Sequence, residues 1–249
     1  MDDAQLLRYS RHILLTELGP DAQEKFAAAR ALVVGVGGLG NPAAHFLAAA
    51  GVGALTLCDA DHVDLTNLQR QILYATADIG RAKVDAAAAR LTAINPEVRI
   101  ERVATRVGDA ELARLVDDAD VVLDCSDNFA TRHAINRACV RARKPLVSGA
   151  ALRFDGQIAV FDARNSASPC YHCLFGEGDE LEETRCATMG VFAPLVGIVG
   201  AAQAGEALKL IAGVGETLAG RLLIVDALTM QWRDLRVPRD PQCPVCGAR

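Results

Sequence analysis

Six residues, 35-GVGGLG-40, restrict what this chain can fold into more than any other stretch. They follow a short apolar run, 31-ALVVG-35, and precede 41-NPAAHFLAAAG-51, which reads as a helix closing on glycine. Gly35, Gly37 and Gly40 therefore match G-x-G-x-x-G in the setting strand, turn, helix. There the glycines permit a tight turn and let backbone approach phosphate at the helix N-terminus. Asp59 ends the next apolar run, 54-ALTLCD-59, where an acid can accept from a ribose hydroxyl. The plainer alternative is a turn that only packs helix on strand.

The alternation continues. Residues 80–94 have a helical period and stop before Asn95-Pro96; 98–103 alternate like a strand; 109–116 form a short helix. Residues 120–124 read as a strand, 131–143 as a helix and 145-PLVSGA-150 as a strand. Such alternation predicts a parallel sheet covered on both faces. After Ala150 the pattern shifts. A strand at 154–161 is reached through Asp155-Gly156, a hairpin signal. A Gly/Glu-rich loop, a helix at 194–212, a strand at 222–226, an alternating stretch at 231–237 and a cysteine-bearing coil follow. The expected fold is α/β: a doubly wound, Rossmann-like, mostly parallel sheet continuing into a mixed, antiparallel C-terminal part with a four-cysteine zinc site. One domain spans 1–249. It has a helical segment at 1–30, with Phe26 and several leucines on one face, a nucleotide-binding half at 31–150 and a strand-rich half at 151–249.

Charge narrows the class. Lys and Arg total 26 against 31 Asp and Glu, a net −5. A mildly acidic protein has no global attraction to nucleic acid or to anionic membrane, so any phosphate is held locally. Met1-Asp2-Asp3 leads into no apolar segment, which argues against a signal peptide. The longest uncharged stretch, 186–205, carries Gly190, Pro194, Gly197, Gly200 and Gln203, and fits a buried loop and helix better than a membrane span. A cytoplasmic location is expected, where eight cysteines point to metal or catalysis rather than disulfides.

Three further clusters carry chemistry. In 66-TNLQRQ-71, with Lys83, Arg70 can fork onto phosphate oxygens, Asn67 can orient one, and Lys83 adds a point charge. In 124-DCSDN-128, at the carboxyl end of a strand, Asp127 can hold Mg2+ or cap the next helix. Cys170-x-x-Cys173 and Cys243-x-x-Cys246 supply four thiolates, enough for a closed tetrahedral Zn2+ site without catalytic role; a redox dithiol is the alternative. Cys58, Cys125 and Cys139 read as core. Cys186 stands beside Arg185, which favours thiolate, so it is a candidate nucleophile. No H-E-x-x-H or G-x-S-x-G occurs.

In order, 8-RYSRHILL-15, 35-GVGGLGNP-42, 66-TNLQRQIL-73, 80-GRAKVDA-86, 124-DCSDN-128, 148-SGAALRFDGQIAVF-161, 170-CYHC-173, 187-ATMGVFAPLVGIVG-200 and 243-CPVC-246 resemble the MoeB/ThiF/HesA family, bacterial relatives of ubiquitin-activating enzymes. The resemblance runs essentially end to end. It implies a homodimeric enzyme that uses Mg-ATP to adenylate the C-terminal glycine of a ubiquitin-like sulfur carrier. The carrier would be MoaD-type, in molybdenum-cofactor synthesis, or ThiS-type, in thiamine synthesis; a sulfurtransferase or cysteine desulfurase would supply sulfur. Residues 148–161 look closer to MoeB, whereas 230-MQWRDL-235 and 243-CPVCG-247 look as much like ThiF. The resemblance also implies roles. The glycine turn around Gly38, with Asp59, holds nucleotide; Thr66, Asn67, Arg70 and Lys83 hold the triphosphate; Asp127, beside Asn128, holds Mg2+. Arg11 reaches into the partner subunit's site, and Cys186 engages the carrier in ThiF-like members. An NAD-linked oxidoreductase would leave Arg70, Lys83 and Asp127 unexplained. A zinc-bearing binding module with a dead nucleotide site would have no need of them.

Overall fold

Runs of Val, Leu and Ala with both faces buried form the centre of one sheet. Five strands pair in parallel: β1 (Arg30–Val34), β2 (Ala54–Cys58), the largely exposed edge strand β3 (Arg99–Val103), β4 (Val121–Asp124) and the start of β5 (Pro145–Leu152). Three more, β6 (Asp155–Asp162), β7 (Arg221–Asp226) and β8 (Gln231–Arg236), add on antiparallel. The strand order is β3-β2-β1-β4-β5-β6-β7-β8. This computed structural model describes residues 1–177 and 189–247.

Helices cover both faces. They are α1 (Asp3–Arg8), α2 (Ser10–Ile13), α3 (Gly19–Ala28), α4 (Gly40–Ala49), α5 (Lys83–Ile94), α6 (Asp109–Asp117), α7 (Phe129–Ala142), α8 (Tyr171–Leu174) and α9 (Ala193–Ala212). One core lies under α4, α5 and α9, the other under α6 and α7. Val121, Val122 and Leu123 of β4 are fully buried because both faces of their strand are covered. Helix α9 is long and apolar enough to cross a membrane, and it packs here against α4, β5 and β6. Gly200 makes that contact close: a Cβ there would lie 2.3 Å from the Leu39 carbonyl oxygen.

Two expectations need correction. The hairpin between β5 and β6 turns at Arg153 and Phe154, with Arg153 at φ 53; Asp155 and Gly156 already pair with Leu152 and Ala151. Space for Leu195 and Val199, not turn geometry, is what requires Gly156, since a Cβ there would lie 2.8 Å from each. Of the N-terminal leucines Leu18 packs with Phe26, but Leu7 and Leu14 do not share that face and are 77% and 72% exposed. The alternating residues of β8 form a strand, yet every one of them is exposed, because β8 is the sheet's edge and no helix covers it.

Candidate active site

Strand order reverses between β1 and β4, and this opens a crevice over their carboxyl ends. The glycine turn leaves β1 there and enters α4. Gly35 sits at φ +88, and a Cβ on it would lie 2.6 Å from the Cys125 carbonyl oxygen. A Cβ on Gly40 would lie 1.9 Å from the Gly35 oxygen. Those two glycines are therefore demanded by packing, one against the 124–128 loop and one within the turn. At Gly37 a Cβ would meet only Gln71 Nε2, at 3.7 Å; Gly38 abuts Val196 of α9.

The other segments are tied to this turn. Asp59 accepts from Val36 N–H at 2.7 Å and from Asp61 N–H at 2.9 Å. Asn41 donates to Val36 O at 2.7 Å and accepts from Leu73 N–H at 2.8 Å, while the Tyr74 hydroxyl donates to Val36 O at 2.7 Å. Burial pushes the Tyr74 phenol well up, which keeps it a donor. In the 3₁₀ turn Leu65–Asn67, Asp64 accepts from Thr66 N–H and Oγ–H, Asn67 Oδ1 accepts from Asp64 N–H, and Arg70 donates to Thr66 O at 3.1 Å. Lys83 opens α5, buried, with its Nζ 2.8 Å from Asp61 Oδ2.

The 124–128 loop closes the far side. Asp124 is fully buried and accepts from Ser126 N–H and Oγ–H at 3.0 and 2.6 Å. Burial raises its carboxyl pKa, opposed by the nearby Arg132 charge. Arg132 donates to Ser126 O at 2.8 Å. Gln203 of α9 donates to Asp124 O at 2.8 Å and Val147 O at 3.2 Å, bracing β4 and β5 together. Asn128 is the cap of α7, accepting from Thr131 N–H at 2.9 Å. The cap is thus filled by the neighbour, and Asp127 is exposed at the strand end, accepting from Asn128 Nδ2 at 3.4 Å and lying within the field of the Arg132 charge. The carboxylate is free to take a cation.

The structure thus gathers the glycine turn, Asp59, the 66–74 segment, Lys83 and the 124–128 loop around one crevice. Arg11, on α2, is exposed and has no hydrogen-bond or ion-pair partner among the described residues. Cys186 lies outside the described residues. Cys58, Cys125 and Cys139 are buried; burial pushes the Cys58 thiol up to about 11 and the other two higher still. Sequence reasoning missed Asn41, Arg132 and Gln203 as braces. The available signal was a lone glutamine in the apolar α9 and an asparagine directly after the glycine turn.

The four cysteines meet away from the crevice. Their sulfur atoms lie within 4.8 Å of one another, with Cys170–Cys173 at 3.9 Å, Cys170–Cys243 at 3.6 Å and Cys173–Cys246 at 3.5 Å. Tetrahedral zinc with bonds of about 2.3 Å puts sulfurs about 3.8 Å apart, so the set fits that ion. Asn136 of α7 donates to Cys170 Sγ at 3.7 Å, and Arg239 donates to the carbonyls of Cys246 and Gly247. These contacts orient ligands from the outside. Burial raises the Cys170 and Cys173 thiols, so a bound cation is what would hold them as thiolates.

The sequence is 47% identical over 250 residues to the molybdopterin-synthase adenylyltransferase of Escherichia coli K12, covering 99% of this chain and 98% of that protein. It is 46% identical over 247 residues to the sulfur carrier protein ThiS adenylyltransferase of the same organism, covering 99% and 97%. Among solved structures, E. coli MccB with ATP superposes with TM-score 0.84 at 26% identity, covering 96% of this chain and 74% of MccB. The ThiF family profile matches residues 9–245, from the N-terminal helices through the cysteine tail, and on that match the chain belongs to the ThiF family.

Proposed function

We propose that this chain uses ATP to adenylate the C-terminal glycine carboxylate of a ubiquitin-like sulfur carrier, releasing pyrophosphate. The observation that carries this is Asp127. It is exposed at the carboxyl end of β4, released from capping duty by Asn128, and it faces a crevice that also holds the glycine turn. A nicotinamide site has no use for a free cation-binding acid beside Arg70 and Lys83.

The turn and the N-terminus of α4 bind the phosphates, with Asp59 beneath them for the ribose. Thr66, Asn67, Arg70 and Lys83 neutralise and orient the triphosphate. Asp127, beside Asn128, would hold Mg2+, which when bound would screen the phosphate charge and orient the leaving group. The carrier carboxylate forms a bond to the α-phosphorus, and the bond from that phosphorus to the pyrophosphate oxygen breaks. The nucleophile is already ionised, so no general base is needed. Positioning and charge stabilisation supply the rate. Arg11 adds a positive charge to the other subunit's site in a homodimer. Zinc in the four-cysteine cluster ties the C-terminal tail to α8.

The carrier is MoaD-type, with ThiS-type the second reading; identities of 47% and 46% to enzymes of the two kinds favour them nearly equally. ATP–pyrophosphate exchange with both carriers, each ending in Gly-Gly and without nicotinamide, tests the assignment. Exchange that depends on one carrier supports it and names the pathway. Exchange with neither sinks it.

A further inference from the structure

Gln71 has no role in the arrangement above, yet it is placed at its centre. Four contacts fix its position. Its own N–H donates to Asn67 O at 3.0 Å, and Tyr74 N–H donates to Gln71 O at 3.2 Å. Leu73 N–H is held by Asn41, and the Tyr74 hydroxyl is held by Val36 O. The backbone around Gln71 is thereby fastened to the glycine turn and cannot swing away.

The side chain is only 3% exposed, and its Oε1 is shut from solvent with no donor. A buried carboxamide oxygen without a partner is destabilising. Replacing it by an apolar group of the same length would remove that cost. Its other end, Nε2, is the sole group that a Cβ on Gly37 would meet, at 3.7 Å. Gly37 is the second glycine of the turn, whose missing side chain lets a phosphate approach the backbone. The donor end of Gln71 therefore borders the space that phosphate takes.

Resting on the reading of the crevice as an ATP site, we propose that Gln71 contacts the nucleotide: its Nε2–H donates to a phosphate oxygen of ATP lying against Gly37. A neutral donor complements Arg70 and Lys83. It fixes an oxygen by direction, without adding a charge that would hold pyrophosphate after the reaction.

Gln71→Met removes both hydrogen-bonding ends at nearly constant volume. Without nucleotide it should melt at or above the wild-type temperature, because the orphaned oxygen is gone. Its dissociation constant for Mg-ATP, by calorimetry, and its KM for ATP should rise about tenfold to a hundredfold, with KM for the carrier unchanged. Gln71→Asn, which withdraws the carboxamide by one methylene, should lose ATP affinity in the same sense and serves if the Met variant does not fold. ATP binding within about twofold of wild type in a folded variant overturns the proposal, as does a large fall in melting temperature with ATP affinity kept. Wild-type protein that binds Mg-ATP but performs no exchange with either carrier refutes the adenylation reading alone, because the binding arm still tests Gln71. Wild-type protein that binds no ATP refutes both.

Discussion

Cys243→Ser removes one corner of the sulfur cluster, and the structure sets the size of the effect. Cys243 is buried with its sulfur 3.6 Å from Cys170 across a sequence separation of 73. A metal at the centre joins those two segments much as a disulfide would. Loop-closure entropy for a link of that span is worth about 4 kcal/mol at 25 °C. For a chain of this size each kcal/mol shifts the melting temperature by about 2–4 °C, so the expected drop is roughly 8–16 °C. Zinc content should fall in parallel. Adenylation should follow only through the weakened fold, because the cluster touches α7 at Asn136 and Val140, well past the Asp127 end of that helix. At 1.5 Å per residue those contacts lie roughly 12–18 Å along the helix from Asn128. Metal analysis, thermal melts and exchange rates below the melting range check the three statements. A variant that loses zinc yet melts within about 2 °C of wild type refutes the structural role, and one that keeps full zinc refutes Cys243 as a ligand.

Asp127→Ala should abolish exchange at unchanged melting temperature, since the side chain is exposed and braces nothing; exchange at the wild-type rate would remove Asp127 from the metal site. Arg11→Ala should also impair exchange, and mixing it with Asp127→Ala should restore part of the activity through hybrid dimers that keep one intact site. No rescue after verified subunit exchange would confine Arg11 to its own chain. Native protein treated with iodoacetamide at pH 8 should leave Cys58, Cys125 and Cys139 unlabelled by peptide mass spectrometry, because burial raises all three thiols and keeps them protonated there. Rapid labelling of any of the three would contradict the packing.

The sheet was legible because its central strands are apolar on both faces, a pattern that leaves few alternatives for a five-residue run between polar turns. The glycine turn was legible because Gly35 and Gly40 have no room for a Cβ. What failed had weaker causes. Asp155-Gly156 carries a hairpin dipeptide, but in this position the glycine answers to crowding from α9, which only the tertiary structure reveals. A helical face shared by Phe26 and several leucines holds for Leu18, whereas Leu7 and Leu14 stand in solvent in the isolated chain. At the site, the charged residues proposed for phosphate were readable one at a time. The braces were not, since Gln203 reaches across 79 residues to Asp124 and 56 to Val147, and sequence spacing holds no record of that contact.

The Lys83–Asp61 pair shows why an acidic chain can bind a polyanion. Lys83 is buried at the start of α5 with its side chain 8% exposed, whereas Asp61's side chain is 70% exposed. A buried ammonium needs a counter-charge or acceptors close by. Asp61 supplies one in the free protein at 2.8 Å, which holds the ammonium in place. When phosphate arrives, Asp61 can turn to water at little loss, because an exposed carboxylate is well solvated and exposed ion pairs are weak. Lys83 gains a more highly charged partner without moving its backbone. Asp59 stays out of this exchange: the Val36 and Asp61 backbone N–H groups hold its carboxylate at the turn, with a lone pair left on each oxygen. The acids around the crevice therefore divide by task. One holds the turn, one pairs with the buried lysine, one is buried to brace a loop, and Asp127 stands exposed at the strand end.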